Sequence, residues 1–161
     1  MSTHMIDLAH QSRDRLDALF GRGEPRPIPS GRTRGTALLA AGSGLDAFLK
    51  PLVRALVWKG KVFRPATEDL KNLLSPLGVQ GIRARVYEDT SWFDQKPAII
   101  IDYSKTSLVA RMVRDEIRCV APGLYLGQIF LWKKRVGHFM LEVPLPVAAT
   151  ADAAAARGAE A

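Results

Sequence analysis

The sequence predicts a mainly β, α+β protein in which an antiparallel sheet curls into a small barrel with N-terminal helices packed against it. Three observations carry this expectation. Seven segments read as strands, helical spacing is concentrated in the first half, and the stretch from Pro97 to Val143 runs as consecutive strands with tight turns. Several ionisable residues of that stretch lie inside the strands rather than at the turns, which marks it as the place to look for a site. At 161 residues the chain accommodates one domain with a proper core and is too short for two of ordinary size. The expected organisation is an N-terminal helix over 1–23, a barrel over 24–146 with a helical insertion near 43–58, and a disordered Ala-rich tail over 147–161.

Residues 5–20 place Met5, Leu8, Ala9, Leu16, Leu19 and Phe20 on one face at helical spacing, and Gly21 and Gly23 end the helix. Pro25, Pro27, Pro29 and Gly31 make Glu24 to Arg34 an extended connector. The run GTALLAA, 35–41, reads as a first strand. Leu45, Phe48, Leu49, Leu52, Val53, Leu56 and Val57 return to helical spacing, with a kink or restart at Pro51 because proline lacks the backbone donor. Residues 58–63 (WKGKVF) form a short strand. Residues 67–74 (TEDLKNLL) open with Thr67 and two acids, the N-cap and first turn of a helix.

The remainder is strand-rich. In 79–88, Ile82, Ala84 and Val86 alternate with Arg83, Arg85 and Tyr87, the period of two of a half-buried strand. Ala98 to Tyr103 contains an isoleucine run, the strongest strand signal in the chain. Arg114 to Val120, Leu124 to Trp132 and His138 to Val143 complete an antiparallel meander, with a basic turn at Lys133-Lys134-Arg135-Val136-Gly137. Both faces of the last two strands are largely apolar. Such a sheet needs covering on both sides, by helices on one and by core or ligand on the other.

Composition narrows the function. Hydrophobic content of 47% with 24% charged residues is that of a soluble globular protein. No apolar run approaches a membrane span, and Asp7, Asp14 and Asp17 interrupt any signal-peptide pattern, so a cytoplasmic location is expected. The net charge of +7 raises nucleic acid or an acidic membrane as partners. Its distribution argues against both, because Arg22, Arg26, Arg32 and Arg34 lie in the connector, Lys133 to Arg135 form one turn, and the rest are mixed with acids. No nucleic-acid partner is expected, and a homodimer is compatible with the sequence. Cys119, the single cysteine, excludes an internal disulfide and reads as a buried thiol. His4, His10 and His138 share no ligand spacing, so no metal and no cofactor is expected. No phosphate loop, dinucleotide fingerprint or nucleophile elbow is present.

Taken together, WKGKVF (58–63), IIIDYS (99–104), RDEIR (114–118) and PGLYLG (122–127) resemble a group of small bacterial proteins of lipocalin-like, or calycin-like, form. The likeness covers roughly residues 31–143. It implies a small antiparallel barrel whose interior holds an apolar ligand. The chain departs from the lipocalin pattern in lacking an early Gly-x-Trp and in placing two helices before most of the sheet. A closed barrel and a sheet wrapped around a helix both stay open.

On 114–120, Arg114, Glu116 and Arg118 share one face, while Asp115, Ile117 and Cys119 share the other. A mostly apolar pocket with a few placed polar groups is the usual form of a ligand site. Asp102, Glu116 and Arg118 are the candidate catalytic residues: a carboxylate in an apolar pocket has a raised pKa and serves as acid or base, and the guanidinium steadies a developing oxyanion. Trp58, Lys61, Tyr87, Tyr103, Asp115, Tyr125 and His138 are the candidate ligand contacts. The plainer alternative is a cross-strand charge ladder of Arg83, Arg85, Glu116 and Arg118 on the solvent face, with Asp102 capping the strand end. Two functions follow from the cavity, binding of a small hydrophobic molecule or cofactor-independent isomerisation, cyclisation or hydration. A third, outside the cavity, has the Lys133–Arg135 turn meeting an acidic partner.

Overall fold

The computed structural model describes residues 8, 10–38, 61–64, 67–73, 80–106, 108 and 110–144. Within them lie one helix, α1 (Arg13–Arg22), and nine strands: β1 (Gly31–Arg32), β2 (Arg34–Leu38), β3 (Lys61–Arg64), β4 (Asp69–Leu73), β5 (Gln80–Thr90), β6 (Pro97–Asp102), β7 (Val113–Ala121), β8 (Leu124–Leu131) and β9 (Lys134–Glu142). All pair antiparallel in one sheet of order β1-β3-β4-β5-β6-β7-β8-β9-β2. The first and last members of that order are consecutive in the chain. Residues 31–32 pair with β3 and residues 34–38 with β9, so this one stretch bridges the two margins of the sheet and nearly closes a barrel. Thr33 makes the join. Its N–H donates to the Lys61 carbonyl at 2.8 Å, and its hydroxyl accepts from the Lys61 N–H at 3.1 Å.

Strand alternation divides the side chains between the barrel interior and its outer face. Phe63, Leu70, Ala84, Val86, Ile99, Ile101, Ile117, Ile129 and Phe139 form the inner cluster. On the outside, Leu16 and Phe20 of α1 pack against Leu38, Leu124, Leu126 and Met140. This explains why every residue of β8 is buried: the interior covers one face and the helix the other, as a sheet apolar on both sides demands. Ser12 caps α1 by accepting from the Arg15 N–H at 3.3 Å, and the helix ends on Gly23.

The structure corrects several element expectations. Residues 69–73 form a strand, not a helix, because the margins of β3 and β5 satisfy their backbone groups on both sides and the apolar Leu70 fits the barrel interior. Helix α1 begins after Ser12 rather than running through it. The connector is itself part of the sheet: Glu24 exchanges backbone hydrogen bonds with Cys119 at 2.9 and 2.7 Å, and the Tyr125 hydroxyl donates to the Pro27 carbonyl at 2.5 Å. The β8–β9 turn is the pair Trp132-Lys133, with Lys134 to Gly137 already in β9. The helix expected near 43–58, the residue Trp58 and the tail over 147–161 lie outside the described residues.

Candidate functional site

Among the described residues, the charged side chains that alternation sends into the apolar barrel interior meet at one place. Lys61 of β3, Tyr103 at the end of β6 and Asp115 of β7 meet there, with at most 1% of any of them exposed. Each sits where alternation sends it: Lys61 lies two residues from Phe63, Tyr103 follows Ile99 and Ile101, and Asp115 precedes Ile117, all inward residues. The lysine is held at its backbone by Thr33. Its ammonium nitrogen lies 2.6 Å from the Tyr103 hydroxyl oxygen and 3.2 Å from Asp115 Oδ2, and the tyrosine hydroxyl donates to the same Oδ2 at 3.2 Å. The Phe139 ring centroid lies 5.6 Å from Lys61 Nζ, within cation–π range, whereas the ammonium meets Tyr103 at its hydroxyl edge. Asp115 Oδ1 is buried and has no hydrogen-bond partner among the described residues.

Burial dominates the electrostatics of this cluster. It pushes the Lys61 ammonium down from its ordinary pKa, against the attraction of Asp115. It pushes the Asp115 carboxyl up, against Lys61 and the Tyr103 hydrogen bond. Both shifts favour the neutral forms, so the proton of the pair is held less firmly on the lysine than in water. Such a group can accept or donate a proton, hydrogen-bond a carbonyl or hydroxyl, or balance a carboxylate.

The expected convergence of Asp102, Glu116, Arg118 and His138 in one cavity is not what the structure contains. All four lie on the outer face, in separate contacts. Glu116 accepts from the Ser91 hydroxyl at 2.5 Å, the Trp92 N–H at 2.9 Å and Arg114 Nε at 3.1 Å, pinning the loop before β6. Arg118 forms a two-pronged pair with Asp94, both at 2.7 Å, donates to the carbonyls of Phe20, Lys96 and Pro97, and lies over the Phe20 ring. That guanidinium ties α1, the 91–96 loop and the sheet together. Burial alone would raise Asp102, but the Ser104 N–H and the Tyr87 hydroxyl hold it below the usual carboxylate range. His138 Nε2 lies 2.7 Å from Asp17 Oδ1, beside the two-pronged Arg135–Asp17 pair at 2.6 and 2.7 Å.

Tyr125 points inward, its hydroxyl engaged with Pro27 and its pKa pushed up to about 12 by burial. Cys119 is half-buried and burial raises its thiol. Sequence reasoning named Lys61, Tyr103 and Asp115 singly without joining them. The signal that joins them is a polar residue on the apolar parity of a strand, present in all three. The Asp17 and Asp94 partners carried no comparable signal. Among the described residues no three His, Cys, Asp or Glu side chains converge as metal ligands, and no helix is long and apolar enough to cross a membrane.

A cleft of about 390 Å³ opens beside Phe63 and Val86, rimmed by Ile28, Arg64, Glu68 and Tyr87. It reaches two residues of the inner cluster, and its size falls within the range of small-molecule pockets.

No family model matches the chain, and no curated protein matches it. Among solved structures it is similar to the "Crystal structure of protein from Thermomonospora curvata", with a TM-score of 0.62 and 22% identity over 88% of this chain and 95% of that one. At that identity the likeness shows a shared barrel fold.

Proposed function

We propose that the barrel binds a small molecule with an apolar body and one polar head, the head meeting Lys61, Tyr103 and Asp115. The observation that carries this reading is the buried polar cluster with an oxygen left over. Desolvating a lysine and an aspartate costs several kcal/mol per ion, about what their attraction returns, and a well-packed apolar substitute is often at least as stable. An unpartnered buried oxygen adds a penalty of about 1–3 kcal/mol. A donor on a ligand removes that penalty, and the surrounding Phe63, Ile101, Ile117 and Phe139 accept the hydrocarbon part.

Calorimetric titration with compounds sharing one hydrocarbon body but carrying no head, a hydroxyl, an aldehyde or a carboxylate tests this. Head-bearing members should bind at least about ten-fold more tightly than the bare hydrocarbon, as one to two hydrogen bonds imply. Tyr103→Phe should shrink that difference. Indifference to the head, or no binding at all, contradicts the reading.

A second reading rests on the opposed shifts of Lys61 and Asp115. A pair whose proton is loosely held is suited to general acid–base chemistry, and the barrel would then isomerise, cyclise or hydrate its ligand without a cofactor. Turnover of a bound compound by the wild-type protein that is lost in Asp115→Asn while binding persists distinguishes catalysis from carriage.

A further inference from the structure

The fold brings together two basic segments that are far apart in sequence. The β8–β9 hairpin presents Trp132, Lys133 and Lys134. The loop between β6 and β7 contributes Lys105, Leu108 and Arg111. The Trp132 N–H donates to the Met112 carbonyl at 3.1 Å, so the two lie side by side at one end of the barrel. Lys105, Arg111, Lys133 and Lys134 are exposed. Between 103 and 112, and between 131 and 137, the sequence contains no acidic residue. The dispersed positive charge read from the sequence is thus, in part, a local patch.

Two large apolar side chains stand within it. Leu108 is 88% exposed and Trp132 is 67% exposed, the two highest values among the exposed large hydrophobic residues described. The hairpin backbone adds to the oddity. Trp132 and Lys133 both have positive φ, 47° and 66°. A two-residue turn with that geometry is ordinarily built from Asn-Gly, because side chains such as these crowd the backbone there. The turn holds an indole in water in a conformation that indole disfavours, a combination found where strain serves a function.

We infer that the hairpin tip, together with Lys105, Leu108 and Arg111 of the neighbouring loop, forms a docking surface for an anionic lipid bilayer. Lysine and arginine draw the tip to a negative leaflet. Tryptophan settles at the headgroup level, and leucine inserts below it. The aliphatic Leu108 favours lipid over single-stranded nucleic acid, which would be met by aromatic stacking and cations alone. The buried cluster lies just inside this same end, since Tyr103 immediately precedes the loop and Asp115 follows it within β7. Docking stands whether or not the interior holds a ligand.

Sedimentation of the full chain with vesicles tests the assignment. Vesicles of phosphatidylcholine alone are compared with vesicles containing phosphatidylserine at three parts in ten, with a single-stranded oligonucleotide titrated separately. Binding should require phosphatidylserine and weaken as salt rises. Lys133→Glu with Lys134→Glu should lower the partition coefficient at least about 25-fold, at roughly five-fold per cation lost. Trp132→Ala should lower it about ten-fold. Both variants alter exposed side chains, and unchanged melting would confirm that they fold. Absence of vesicle binding, binding unaffected by these changes, or oligonucleotide binding without vesicle binding overturns the inference, the last in favour of nucleic acid.

Discussion

Replacing Lys61 by methionine isolates the buried pair. The lysine nitrogen and Asp115 Oδ2 are 3.2 Å apart, with side-chain exposures of 0% and 1%. At an effective dielectric of about 20 the attraction across that distance is about 5 kcal/mol. The desolvation of both ions offsets most of it, so the intact pair contributes little net stability. Its disruption is another matter. Lys61→Met leaves Asp115 buried with only the Tyr103 hydroxyl, and a loss of about 3–5 kcal/mol is expected at neutral pH. That loss should depend on pH in a definite sense. A carboxyl whose folded pKa is raised binds more protons in the fold than in the unfolded chain, so stability falls as pH rises from the unfolded value of about 3.9 through the folded one. The deficit of the variant should therefore shrink as the solution is acidified toward pH 4. Adding Asp115→Asn to Lys61→Met should recover most of the stability and flatten the pH dependence of that loss, because no charge remains in the cluster. Urea unfolding followed by circular dichroism across pH 4–8 reads both effects. A single-variant loss below about 1 kcal/mol, or a double variant no more stable than the single, would refute the reasoning.

Asp94→Asn should cost about 2–3 kcal/mol at pH 7 by leaving the buried Arg118 guanidinium without its carboxylate. Since Arg118 holds the Asp94 pKa below its ordinary value, that contribution is present above about pH 3.9 and is lost as pH falls through the folded pKa; melting curves of wild type and variant should converge near pH 2. Gly127→Ala places a methyl group against the fully buried Phe139 ring, 2.8 Å from its Cδ1 and closer to its outer edge, and should destabilise by about 1–3 kcal/mol. Phe139→Leu, which shortens that edge, should be less damaging in the alanine background than alone, as a double-mutant cycle in urea would reveal. Exchanging Trp132-Lys133 for Asn-Gly should raise stability by about 1–2 kcal/mol by relieving two positive-φ residues, while abolishing vesicle sedimentation.

Local pattern made the second half of the barrel legible. The isoleucine run of β6 and the apolar alternation of β7, β8 and β9 predict strands in the right places, and adjacent antiparallel strands need little further information to pair. Residues 69–73 resisted the same reasoning because Thr67, Glu68 and Asp69 imitate a helix start, and only the neighbouring strands decide otherwise. Closure was equally hidden. It depends on Gly31 to Leu38 pairing with β3 at one end and β9 at the other, a relation between residues as much as 108 positions apart. For the site, alternation sorted Asp115 from Glu116 and Arg118 but did not say which parity faces inward, since both faces of β7 are buried. The outer charges are matched by Asp94, 24 residues from Arg118, and by Asp17, 118 residues from Arg135. Partners at such separations leave no local mark.

The most direct test of the central claim is native mass spectrometry of wild-type protein freshly purified from its own host, run beside Tyr103→Phe and followed by denaturing analysis of whatever is released. A polar-headed apolar molecule is predicted in one-to-one ratio with the wild type and at reduced occupancy in the variant. Apo protein in both, with no compound of the titration panel bound on addition, would contradict the claim that Lys61, Tyr103 and Asp115 form a ligand site.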